Sequence, residues 1–233
     1  MTNTFVEYRQ DADSLEVLLG ALFADHAIRS EDQNALESFL APLRNKGPEY
    51  HATYEHSIRV ALLGVDVATF MHLDPKVLLF AGLLHDVGKV QVPAATLGKT
   101  SGWNKLDTRN MRPHVMDAYR MIRGRFDYSA QVILWHHRFQ ADGYPKSIPH
   151  SLHDYCVGNQ IMIPFYGRLL SLCDQFDAFH RVNDKNGALR APTGEEIKAL
   201  MLKFNPDMHV LLAELYGANV LTTYTAPIPA IAE

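Results

Sequence analysis

Cysteine is scarce in this sequence, basic charge is not in excess, and no apolar run approaches membrane length. The 233 residues include two cysteines, Cys156 and Cys173, outside any Cys-x-x-Cys arrangement. Two are too few for a disulfide framework, so a reducing, cytoplasmic setting is expected. The formal net charge of -4 lacks the basic footprint with which a general nucleic-acid binder displaces counterions. It leaves room for a small phosphorylated ligand. Residues 1–13 are polar and acidic with no apolar signal core, and the longest wholly apolar run, 77–84, is far too short to span a bilayer. Missing too are an internal repeat, a low-complexity tract and any alternating strand pattern longer than a few residues.

What is present reads as helix after helix. With 47% hydrophobic and 21% charged residues, the chain can bury one large core. Leu15, Leu18, Leu19, Leu22 and Phe23 fall at helical spacing, as do Leu36, Phe39, Leu40 and Leu43, before Asn45-Lys-Gly-Pro48 ends the pattern. A helix from about Tyr50 carries Tyr54, Ile58, Leu62 and Val65, and Asp74-Pro75 should open the helix that ends at His85. Residues 90–104 read as a surface loop, 105–125 and 128–138 as helices, 140–160 as irregular, and 163–179 as a mostly buried helix. Thr193-Gly-Glu-Glu196 has capping-box spacing for a helix to Phe204, and Asn205-Pro206 should start another to about Tyr216. The expected architecture is all-α, divided into an N-terminal helical extension at 1–48, a main domain at 49–222 and a tail at 223–233.

Chemistry concentrates at Ala81-Gly-Leu-Leu-His85-Asp86-Val-Gly-Lys89, where an apolar run ends in an imidazole, a carboxylate and an ammonium. His85 and Asp86 either hydrogen-bond each other at a helix end or offer nitrogen and oxygen to a divalent metal. Lys89 is either a solvated lysine favoured by the helix dipole or a cation serving the same site. Of the twelve histidines, His56, His114, His136 and His137 lie in or beside predicted helices, as do Asp174 and Asp177. Side chains from several helices can converge on a metal in a bundle core.

The ordered set His56, His85-Asp86, Lys89, His114, His136-His137, Gly143-Tyr144-Pro145 and Asp174 resembles the HD superfamily of metal-dependent phosphohydrolases and, within it, the HD-GYP branch. The similarity spans about 50–181. It implies an HD-domain helical bundle with two extra N-terminal helices and a pair of divalent metal ions, Fe or Mn by preference. His56, His85 and Asp174 would complete one ion, His114, His136 and His137 the other, and Asp86 would bridge them. A water activated between the ions would then attack phosphorus, with Lys89 neutralising a phosphoryl oxygen or assisting the leaving alkoxide. Asp177 is expected behind the ligands or on the helix surface.

Several positions depart from the HD-GYP pattern. Arg138 follows the histidine pair where Glu is common, Gln140-Ala-Asp shortens the loop before Gly143, and extra residues including His150, His153 and Asp154 precede Pro164. Ala52 stands where three-metal members carry Glu, with Glu49, His51 and Glu55 nearby, so two metals are expected rather than three. Asn183-Asp-Lys185-Asn186 replaces a basic pair, leaving Arg181, Lys185 and Arg190 as phosphate contacts alongside the Gly143-Tyr144-Pro145 loop. The expected reaction is phosphoester hydrolysis on a nucleotide or small phosphorylated molecule, with a cyclic dinucleotide such as cyclic di-GMP one candidate. No membrane partner is expected, and a homodimer is open. Two other classes remain: a mixed-valent di-iron oxygenase of the HD type, acting on a small organophosphonate or polyol, and a degenerate domain that binds a nucleotide or a partner protein.

Overall fold

A computed structural model describes residues 12–181, 184, 190 and 192–221. Among the described residues eleven α-helices run in order: α1 (Ala12–Asp25), α2 (Ser30–Asn45), α3 (Pro48–Phe70), α4 (Pro75–Leu84), α5 (Ala94–Leu97), α6 (Lys105–Met111), α7 (His114–Ile122), α8 (Asp127–Ile133), α9 (Val157–Phe179), α10 (Gly194–Phe204) and α11 (His209–Gly217). No helix among the described residues is long and apolar enough to cross a membrane. Starts and stops follow local chemistry. Asp74 accepts from the Lys76 amide at the head of α4, and Thr193 with Glu196 closes the anticipated capping box of α10.

Four expectations need correction. The stretch 90–104 is not simply a surface loop: a 3-10 turn at Val87–Gln91 runs into it, α5 lies within it, and Val92 and Thr96 are buried. The single helix expected over 105–125 is two, because Pro113, which has no amide hydrogen, sits at the break between α6 and α7. The helix expected to reach Arg138 stops at Ile133, and the backbone continues in tighter turns, with the Trp135 amide on the Val132 carbonyl and the Arg138 amide on that of Trp135. Finally, α9 begins at Val157 and tolerates Pro164 in its interior, so the irregular stretch ends sooner than residue 160.

The long helices α3 and α9 carry the core with α4. Ile58, Leu62, Leu79, Leu83, Leu169, Leu172 and Phe176 are all buried in one hydrophobic cluster, and Leu15, Leu19, Leu36, Leu40 and Leu43 from α1 and α2 belong to it too. The tail at 223–233 lies outside the described residues. Beyond apolar packing, α2 and α3 reach the turn that carries Lys89: Lys46 Nζ donates to the Val90 carbonyl at 2.6 Å and the Tyr50 hydroxyl to that of Val92 at 2.9 Å.

One close approach sets the site. The turn at Gly88 lies so near the start of α7 that a Cβ there would collide with the His114 carbonyl and the Ala118 amide. Only glycine lets α7 bring His114 alongside His85 and Asp86. Gly88→Ala should therefore lower stability by about 1–3 kcal/mol, as overpacking does, and lower Tm by roughly 2–4 °C for each kcal/mol. Thermal melts of the two proteins check this, and an unchanged Tm would contradict the packing.

Candidate metal centre

Helix ends build most of the site. His85 is the C-cap of α4, His114 opens α7 just past the end of α6, and His136 lies three residues beyond the last residue of α8. In each case Nδ1 donates to the carbonyl three residues back: His85 to Gly82 at 2.7 Å, His114 to Met111 at 2.7 Å and His136 to Ile133 at 2.6 Å. Those carbonyls belong to the last turns of their helices, where i+4 amides run out. With the proton fixed on Nδ1, the other nitrogen carries a lone pair. All three Nε2 atoms are buried and none has a hydrogen-bond partner.

These lone pairs face carboxylates and one another. Asp86 Oδ2 lies 3.3 Å from His85 Nε2 and 3.5 Å from His56 Nε2, while Oδ1 lies 3.3 Å from His114 Nε2. Asp174 Oδ1, from α9, is 3.1 Å from His56 Nε2 and 3.9 Å from His85 Nε2. His137 joins through ring contacts, 4.0 Å from His136 and 5.2 Å from His114 between centroids. Among the described residues three groups have donor atoms within 4.8 Å of one another: His56 with His85 and Asp174, His114 with His136 and His137, and His85 with Asp86 and His136. Buried donors without partners are costly unless something fills the space between them. A nitrogen-and-carboxylate set of this kind fits divalent first-row metals.

His56 is held differently, since it sits inside α3 and has no free carbonyl to use. Its Nδ1 donates to Asp177 Oδ2 at 2.7 Å, and Arg59 grips the same carboxylate from Nε at 2.7 Å and Nη2 at 3.3 Å. Asp177 is thus buried behind the imidazole and not on the helix surface. Arg59 was not singled out from sequence, although a charge inside the apolar run from Ile58 to Leu63 was the available signal. Gln140, whose amide end lies 2.9 Å from His137 Nδ1, was read only as part of a shortened loop.

The remaining expected residues divide. Lys89 Nζ donates to Asp86 Oδ2 at 2.5 Å from the rim of the cluster. Tyr144 stacks on His137 at 4.7 Å, its loop pinned where Arg138 donates to the Pro145 carbonyl at 2.6 Å and where a side chain at Gly143 would strike the Arg138 backbone. Arg181 lies 4.0 Å from Asp177. Arg190 is turned away, forked onto Glu196 at 2.8 and 2.5 Å, and Lys185, Asn183 and Asn186 lie outside the described residues. His153 pairs with Asp127 at 3.0 Å, away from the cluster. Glu49, His51 and Glu55 belong to no metal-holding group among the described residues.

Burial and neighbouring charge set the protonation pattern. Burial drives His136 down to about 3, with His85 adding to the effect, and holds His137 well below the usual imidazole range. Burial also opposes charge on Asp86, Asp174 and Asp177, yet the neighbouring His85 and Lys89, the hydrogen bond from His56, and Arg59 respectively keep all three below the usual carboxylate range. For His85, burial is outweighed by Asp86, and its pKa is raised. Between about pH 6.5 and 3, the unfolded chain binds protons at the positions of His136 and His137 that the folded chain refuses. Stability of the metal-free protein should therefore fall as pH drops below about 6.5, by up to roughly 1.4 kcal/mol per pH unit for each imidazole. His85 has the opposite sign and contributes its slope above that window. Urea midpoints of chelator-treated protein from pH 8 to 5 check this, and a flat profile would contradict the burial of neutral imidazoles.

Comparison with known proteins places the chain in a family. Residues 53–178 match the HD domain. The chain is 33% identical over 133 residues to a cyclic di-GMP phosphodiesterase of Pseudomonas aeruginosa, covering 54% of this chain and 30% of that protein. It is 27% identical over 144 residues to a 3'3'-cGAMP-specific phosphodiesterase of Vibrio cholerae, covering 59% of this chain and 31% of that one. It thus spans less than a third of the length of either relative. The crystal structure of the HD domain of the L. monocytogenes phosphodiesterase PgpH superposes with a TM-score of 0.52 at 17% identity, over 78% of this chain and 98% of that domain. Every clustered imidazole and carboxylate lies inside the matched segment, which is more than half of the sequence, and the chain belongs to the HD domain family.

Proposed function

We propose that the chain is a metal-dependent phosphohydrolase acting on phosphodiesters. In this reading His56, His85 and Asp174 hold one divalent ion, His114, His136 and His137 hold a second, and Asp86 is shared. The carrying observation is the set of three buried Nε2 atoms without partners, each presented by an Nδ1 bond to a helix-end carbonyl. Divalent cations at such a site supply Lewis acidity, which polarises a phosphoryl oxygen and acidifies water. Fe and Mn suit an imidazole and carboxylate set. The chain's own groups do the rest.

Lys89 contacts Asp86 directly through its ammonium. Its flexible stem lets the ammonium turn from that carboxylate to a phosphoryl oxygen, or to the alkoxide as it leaves. Tyr144, stacked on His137, walls the site and keeps water from one side of it. Arg181, just past the end of α9 and only partly exposed, would meet phosphate beyond the metals in this reading. The named activities of the relatives support phosphodiester hydrolysis as the reaction class, and cyclic di-GMP is one candidate substrate.

Because Asp86 is the ligand proposed to be common to both ions, Asp86→Ala should abolish metal binding and all turnover. His114→Ala should retain at least part of one ion. Elemental analysis beside hydrolysis of bis(p-nitrophenyl) phosphate tests both statements. Equal metal retention in the two variants would remove the reason for calling Asp86 the bridge. Lys89→Met should keep the metal and lose at least about tenfold in kcat, as removal of a transition-state contact does. An unchanged kcat would exclude Lys89 from the chemistry.

A further inference from the structure

Arg112 occupies the break between α6 and α7, two residues ahead of His114. Its guanidinium carbon stands 5.5 Å from the centroid of the Tyr144 ring. That ring stacks on His137 with an interplanar angle of 25° and meets His114 edge-on at 6.1 Å. Guanidinium, phenol and imidazole therefore form a continuous wall leading out of the metal centre. The ring holds the cation in place by its face.

What this arginine lacks is a committed partner. Arg59 is bound to Asp177, Arg168 to Asp207 and Asn205, and Arg138 to the Pro145 carbonyl. Among the described residues Arg112 has only Asp142, at 3.6 Å from Nη2, and that carboxylate is 91% exposed while the arginine side chain is 41% exposed. At that separation the pair is too long for a hydrogen bond, and exposed ion pairs add little. A guanidinium fixed by packing, with its donors free, suits bidentate capture of phosphate.

We propose that Arg112 anchors a second phosphate, one that is not being hydrolysed, so that the site selects substrates carrying two phosphates, as cyclic dinucleotides do. This rests on the phosphohydrolase reading above. It also assigns to the α6–α7 break a role that the sequence assigned only to Arg181, Lys185 and Arg190.

The test compares two probes on metal-replete protein: bis(p-nitrophenyl) phosphate, with one phosphate, and cyclic di-GMP, with two. Arg112→Met keeps the apolar stem over Tyr144 and removes the fork. It should raise KM and weaken equilibrium binding of cyclic di-GMP by about tenfold or more, the worth of a charge-assisted contact. Metal content and kcat/KM on the single-phosphate probe should stay within about twofold. Arg112→Lys should recover only part of the loss, and Asp142→Asn, which removes only a long, exposed ion pair, should change binding by no more than about twofold. Equal losses on both probes, or none on either, would overturn the anchor. So would a wild-type protein that hydrolyses bis(p-nitrophenyl) phosphate yet neither binds nor cleaves cyclic di-GMP, an outcome that leaves the phosphohydrolase reading standing. Failure on the single-phosphate probe as well would bring down that reading and the anchor with it.

Discussion

The site depends on one repeated hydrogen bond, from the Nδ1 of an imidazole to the carbonyl three residues earlier at the end of a helix. A helix end leaves carbonyls without intrahelical donors, and these must be satisfied by something. Here the imidazole does it. The same bond selects the tautomer, orients the ring and leaves Nε2 as an acceptor in a buried space. One local solution thus serves backbone satisfaction and ligand presentation together. It also fits the breaks in the fold: Pro113 separates α6 from α7 and His114 takes the Met111 carbonyl left there, while His136 takes the Ile133 carbonyl at the end of α8.

His56 tests that principle by exception. An imidazole within α3 has no free carbonyl on its own helix, and an acceptor has to come from elsewhere. Asp177 provides it from α9, and Arg59 neutralises the buried carboxylate so that its desolvation is offset. Two long helices are thereby locked together at the site. The rim is built more loosely, from the Lys89 turn braced by Lys46 and Tyr50 and from the Tyr144 loop pinned by Arg138.

Much of this was legible in the sequence, and the misses share a cause. Apolar spacing located the two N-terminal helices and the core of α3, α4 and α9, because burial imposes the period directly. The ordered His and Asp positions pointed to a cluster, and the structure brings His56, His85, Asp86, His114, His136, His137 and Asp174 together. Apolar periodicity could not show that the helices expected over 105–125 and 128–138 stop early: Pro113 was the available signal for the first break, whereas capture of the Ile133 carbonyl by His136 leaves no periodic trace. Arg59 and Arg112 were missed for a related reason: what they do depends on Asp177 and Tyr144, which lie far off in sequence and become neighbours only in the fold.

The central claim is that these fixed imidazoles and the shared carboxylate hold a pair of divalent ions. Anomalous diffraction from crystals of the protein loaded with Mn, collected on either side of the metal edge, tests it most directly. The account predicts two anomalous peaks, one among His56, His85 and Asp174 and one among His114, His136 and His137, with Asp86 touching both and every imidazole bound through Nε2. A single peak under metal-replete conditions, or ligation through Nδ1 with the carbonyl bonds broken, would contradict it.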